Sequence, residues 1–121
     1  MILVDSSVWI DHFRSTSSEL VLILSQGAVL QHPFVTAEIA LGSIRNRDAV
    51  IPLLTMLPQA VKLDDSMLLE FITQHKIFSS GLGVVDAHLL GSTIAASQCQ
   101  LWTRDKRLAA KASELKCLYQ P

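Results

Sequence analysis

Cysteine is scarce in this chain. Cys99 and Cys117 are the only two among 121 residues, and they form neither a C-x-x-C pair nor a zinc spacing. That excludes a zinc-ribbon or thioredoxin-type site and favours two buried free thiols in a reducing cytosol. Long apolar runs are missing too. None approaches the roughly 18 residues of a membrane span. Nor does a basic stretch precede the first strand-like run, so a cleavable leader is not expected. A cytoplasmic protein that does not enter membranes is the expectation. Charge is sparse: 17% of residues are charged and the formal net charge is −1. A nucleic-acid binder working through its overall field would be basic. Any polyanion must therefore be held here by local cations or by metal. No repeat, low-complexity tract or long linker divides the chain, which reads as one domain over residues 1–121.

Apolar residues are abundant, at half of the chain. That is enough to bury about two-thirds of the unfolded surface. Residues 2–5 read as the first strand, its three apolar residues Ile2, Leu3 and Val4 leading straight into Asp5. Further strands are expected at Ala28 to His32, Ala60 to Leu63, Gln100 to Thr103 and Lys116 to Tyr119. Between them lie helical patterns. One is Val8 to Phe13, and the next is opened by a Thr16-x-x-Glu19 capping box and stopped by Gly27. The others run from Thr36 to about Arg47, Asp48 to Leu57, Asp64 to about Ile77, Asp86 to Ser97 and Lys106 to Ala112. Alternation of this kind implies an α/β fold with a mostly parallel sheet of five strands covered on both faces.

Four acids stand at strand-to-helix junctions: Asp5, Glu38, Asp86 and Asp105. Each has a plain explanation as a helix cap or a first-turn acid. Together they would meet on one rim, because strand carboxyl ends and helix N-termini share an edge in a parallel sheet. Converging carboxylates repel unless a cation lies between them. Their oxygens suit Mg²⁺, or Mn²⁺, and ions of that kind activate water for phosphodiester cleavage.

Four segments carry a resemblance. They are Val4-Asp5-Ser6-Ser7-Val8-Trp9-Ile10-Asp11, Pro33-Phe34-Val35-Thr36-Ala37-Glu38, Gly83-Val84-Val85-Asp86-Ala87-His88-Leu89-Leu90 and Leu101-Trp102-Thr103-Arg104-Asp105-Lys106-Arg107-Leu108. In order and separation they resemble the PIN-domain ribonucleases, specifically the VapC-type toxins of bacterial toxin–antitoxin systems. The resemblance implies a PIN-like three-layer α/β/α sandwich, Mg²⁺-dependent endoribonuclease activity, a cognate VapB-type antitoxin and a homodimer. It assigns the acidic pocket to Asp5, Glu38, Asp86 and Asp105, with the hydroxyls of Ser7 and Thr103 in support.

Arg104, Lys106 and Arg107 flank Asp105 and are candidates to steer RNA phosphates. The histidines are expected to be packed or exposed rather than catalytic. Apolar residues between Asp48 and Ile77 exceed what one helix face can bury. They suggest a partner groove, which Trp9 and Phe13 would help to line. Two other readings remain open: a non-catalytic binding module whose acids only cap helices, and a phosphatase or phospho-acceptor domain. The haloacid-dehalogenase style of phosphatase needs a second Asp two residues beyond Asp5, where Ser7 stands.

Overall fold

The computed structural model describes residues 1–121. In chain order its elements are β1 (Ile2–Val4), α1 (Ser6–Arg14), α2 (Ser18–Ser25), β2 (Val29–Leu30) and α3 (Pro33–Leu41). Then follow α4 (Arg47–Met56), α5 (Asp65–Gln74), α6 (Val84–Ala95), β3 (Gln100–Trp102) and α7 (Lys106–Glu114).

β1 is the central strand, and its Leu3 and Val4 are fully buried in the interior. Burying one such side chain contributes about 1.5–3 kcal/mol. β2 and β3 pair with β1 on either side, both parallel, in the order β2-β1-β3. The sheet thus has three strands, not the five expected. The two missing ones are reduced to single parallel bridges, Gln31 with Gln59 and Leu101 with Leu118. Hydrogen bonds still tie these edge segments in. The Ala60 N–H donates to the Gln31 carbonyl at 2.7 Å and the Tyr119 N–H to that of Leu101 at 2.8 Å. Pairing fails to propagate beyond those residues, so Ala60 to Leu63 and Cys117 to Tyr119 form no strand, and Lys116 belongs to the turn after α7 with φ at +62°.

Helix starts differ from the sequence pattern in instructive ways. α2 is capped by Ser17, whose hydroxyl accepts from the Leu20 N–H, and not by Thr16. Pro33 does not end a strand but opens α3 at its first position, where its missing N–H costs nothing. His32 is the cap there, its Nδ1 accepting from the Phe34 N–H. α3 therefore starts three residues earlier than expected and ends at Leu41, which places Glu38 in its second turn. α6 begins at Val84 rather than Asp86. Gly27 does terminate α2, with φ at +65°.

Twenty-four buried apolar residues form the core. α6 can approach its neighbours because Gly91 carries no side chain. A Cβ there would lie 2.4 Å from Leu63 Cδ1. No helix is long and apolar enough to cross a membrane.

Candidate acidic site

The register of β1 with β3 delivers Asp5 and Thr103 side by side at the carboxyl edge of the sheet, just beyond the Val4–Trp102 pair. Asp5 is 6% exposed. A carboxylate so deeply placed needs strong hydrogen-bond partners. Its Oδ2 accepts from Ser7 Oγ and from Thr103 Oγ1, each at 2.7 Å. Each hydroxyl gives its single proton to Asp5, so the 3.4 Å approach between them is packing rather than a third bond. Their lone pairs serve the backbone: Ser7 Oγ accepts from the Arg104 N–H at 3.0 Å and Thr103 Oγ1 from the Asp105 N–H at 3.1 Å. One network thus joins the first turn of α1 to the loop before α7.

Asp105 caps α7, with Oδ1 accepting from the Leu108 N–H at 2.8 Å. Asp86 is the third residue of α6 and reaches back to the Gly83 N–H at 3.3 Å. Glu38 accepts from Ser6 Oγ at 3.1 Å. Burial lifts the Glu38 carboxyl above the usual carboxylate range, and the charges of Asp5 and Asp86 add to the lift; the Ser6 hydroxyl partly offsets it. Asp86 is raised in the same way, by burial first and then by Asp5 and Asp105, against the opposing pull of the Gly83 N–H. Four acids from distant parts of the chain therefore feel one another across one rim of the sheet.

They are not a finished chelate. No three His, Cys, Asp or Glu side chains are grouped, as their rotamers stand, to hold a metal ion. Repulsion between like charges explains why each carboxylate turns to its own hydroxyl or amide. The donor set nonetheless fits a hard cation chemically. It is all oxygen, it includes one rigidly held buried carboxylate, and two of its members carry their charge under strain.

No family model matches the chain. Ribonuclease VapC32 of Mycobacterium tuberculosis, in strains CDC 1551 / Oshkosh and ATCC 25618 / H37Rv, is 45% identical over 114 residues, covering 94% of this chain and 92% of the relative. The chain belongs to the VapC ribonuclease family. The match spans nearly the full length of both chains.

The basic candidates of this VapC-family chain have separate positions. Arg104 is ion-paired with Asp11 at 3.0 Å. Arg107 donates to the Gly81 carbonyl at 3.2 Å, bracing the loop before α6. Lys106 is exposed. Sequence reasoning passed over Ser6 and Asp11, the partners of Glu38 and Arg104. Their positions one and six residues after Asp5 were the available signal. Trp9 is 4% exposed and packs into the core, so it offers little surface to a partner. Among the histidines, His32 and His88 are buried with ring centres 6.1 Å apart. Burial, with His88 and Lys62 nearby, pushes His32 down to about 4, so it stays neutral near pH 7 and suits its capping role.

Proposed function

We propose that this VapC-family chain is a Mg²⁺-dependent endoribonuclease, with Mn²⁺ able to substitute, and the toxin of a pair completed by a VapB-type antitoxin. One observation carries the reading: the hydroxyls of Ser6, Ser7 and Thr103 hold Glu38, Asp5 and the Asp105 backbone at one edge of the sheet, and Asp86 faces the same edge from the start of α6. The relative's name, a ribonuclease, supports RNA as the substrate. A caps-only binding module accounts for Asp105 and in part for Asp86. It leaves Asp5 and Glu38 without a purpose, since neither side chain caps a helix.

Asp5, Asp86 and Asp105 would hold the cation, with Glu38 joining directly or through water. When bound, Mg²⁺ supplies Lewis-acid polarisation of the scissile phosphate and a lower pKa for the attacking water. The chain's own part is positional. Ser7 and Thr103 lock the Asp5 carboxylate in one orientation, and α6 and α7 present Asp86 and Asp105 from their N-terminal ends. Hydrolysis in line would leave a 5′-phosphate and a 3′-hydroxyl. Protein synthesis and growth would fall in consequence, in the cytoplasm where such RNA resides. Exposed Leu53, Met56 and Leu69 on α4 and α5 offer an apolar face for a homodimer.

The test is cleavage of RNA by the purified chain with Mg²⁺, with analysis of the product ends. Asp5→Asn and Asp86→Asn should abolish cleavage while leaving the circular dichroism spectrum folded. Full cleavage by either variant, or cleavage undiminished by excess EDTA, overturns the metal-dependent reading.

A further inference from the structure

Five arginines occur in the chain, and three are already engaged. Arg104 pairs with Asp11, Arg107 donates to Gly81, and Arg47 Nε donates to the Ala40 carbonyl. Arg14 and Arg45 make neither ion pair nor side-chain hydrogen bond, and both are exposed. They line the same cleft, of about 690 Å³, between the end of α1 and the loop after α3. Glu38 lines it too, so the cleft runs directly into the acidic rim. Its remaining walls are mainly apolar, with Ile10 and Phe13 from α1 and Ile39 as floor.

We infer that this cleft is the path by which single-stranded RNA reaches the carboxylates, with Arg14 and Arg45 holding backbone phosphates and Phe13 offering a stacking face. This deepens the ribonuclease reading and rests on it. The chain as a whole is slightly negative, so RNA cannot be held by the general field and needs cations placed beside the acids. Two unpaired guanidiniums against one carboxylate give this cleft the required local sign. Guanidinium forks suit phosphate oxygens, and unpaired bases stack on aromatic rings. An apolar helix laid in the same cleft would cover two cations without neutralising them, which is costly.

Arg14→Ala, Arg45→Ala, the double variant and both Arg→Lys variants are compared with wild type on a fluorogenic single-stranded RNA of mixed sequence, over a range of salt. Lys111→Ala, whose ammonium is held by Glu114, is the charge-matched control. Each Arg→Ala change should raise KM with kcat little altered. It should also flatten the slope of log(kcat/KM) against log salt by about 0.7, the value per phosphate contact on single strands. Lysine should restore most of the slope, and Lys111→Ala should leave it unchanged. If wild type cleaves and the double variant keeps the wild-type slope, the cleft is not the RNA path while the ribonuclease reading stands. Variants that lose only affinity for an antitoxin peptide likewise exclude the cleft as the RNA path. A wild-type protein that cleaves no RNA overturns both.

Discussion

Removal of the Thr103 hydroxyl should cost far more stability than its size suggests. Thr103→Val keeps the shape and deletes one oxygen that makes two bonds: it donates to Asp5 Oδ2 at 2.7 Å and accepts from the Asp105 N–H at 3.1 Å. The first bond is charge-assisted and ends on a carboxylate only 6% exposed. A bond of that kind contributes about 1.5–3 kcal/mol. The second is neutral, worth about 0.5–1.5 kcal/mol, and part of it returns because exposed Asp105 can bond water. A net loss of about 2–3 kcal/mol follows. For a chain of this length each kcal/mol moves Tm by about 3–6 °C, so the variant should melt roughly 6–18 °C below wild type. Thr103→Ser, which keeps the hydroxyl, should lose much less. Ser7→Ala should lose a comparable amount, because Ser7 serves the same oxygen. Combining Ser7→Ala with Thr103→Val should be non-additive, since the second deletion strands a buried charge already deprived of one donor. Thermal denaturation followed by circular dichroism, at neutral pH and without divalent cations, measures all four variants. A Thr103→Val protein melting with wild type, or strict additivity in the double variant, would refute the shared-oxygen network.

The strained acids should show the opposite sign. Glu38 and Asp86 have folded-state carboxyls raised above their unfolded values. The folded state therefore holds extra protons between the two values, and a destabilising contribution appears as pH rises from the unfolded value through the folded one. Asp86→Asn should be more stable than wild type at pH 7 without metal. That advantage should shrink toward zero as pH falls to the ordinary aspartate range, and an advantage independent of pH would contradict the assignment. Mg²⁺ should raise the Tm of wild type but not of Asp5→Asn; equal shifts in calorimetry would place the ion elsewhere. Gly91→Ala should destabilise despite alanine's better helix propensity of about 1 kcal/mol. The new Cβ meets Leu63 Cδ1 at 2.4 Å, and overpacking of that kind costs about 1–3 kcal/mol. A higher Tm for this variant would show that Leu63 yields freely.

Much of this was written in local pattern. Met1 to Asp5 reads as a buried strand ending in an acid, and Asp105 reads as a cap; both are local matters of burial and backbone donors. The sequence pattern starts α3 at Thr36 rather than Pro33 because a proline at a helix's first position and one after a strand look alike. Only the His32 ring accepting the Phe34 N–H distinguishes them. The missing strands have a similar cause. Ala60 to Leu63 and Lys116 to Tyr119 are apolar enough for a sheet, yet at its edges each segment is held by a single bridge. How far an edge segment pairs depends on where its neighbours hold it, not on its own composition.

The amino-acid order alone determined the α/β alternation, the identity of the four acids and the family to which they belong, because each rests on residue type and spacing. Asp86 and Asp105 take partners three residues away, whereas tertiary structure decided the long-range pairings. It put Ser7 and Thr103 on one Asp5 oxygen, committed Arg104 to Asp11 and set Arg14 and Arg45 along the cleft that Glu38 also lines. Apart from Ser7, two residues from Asp5, such pairings link residues far apart in the chain. They arise from the register of parallel strands and the packing of α1 on α3, which no local stretch encodes.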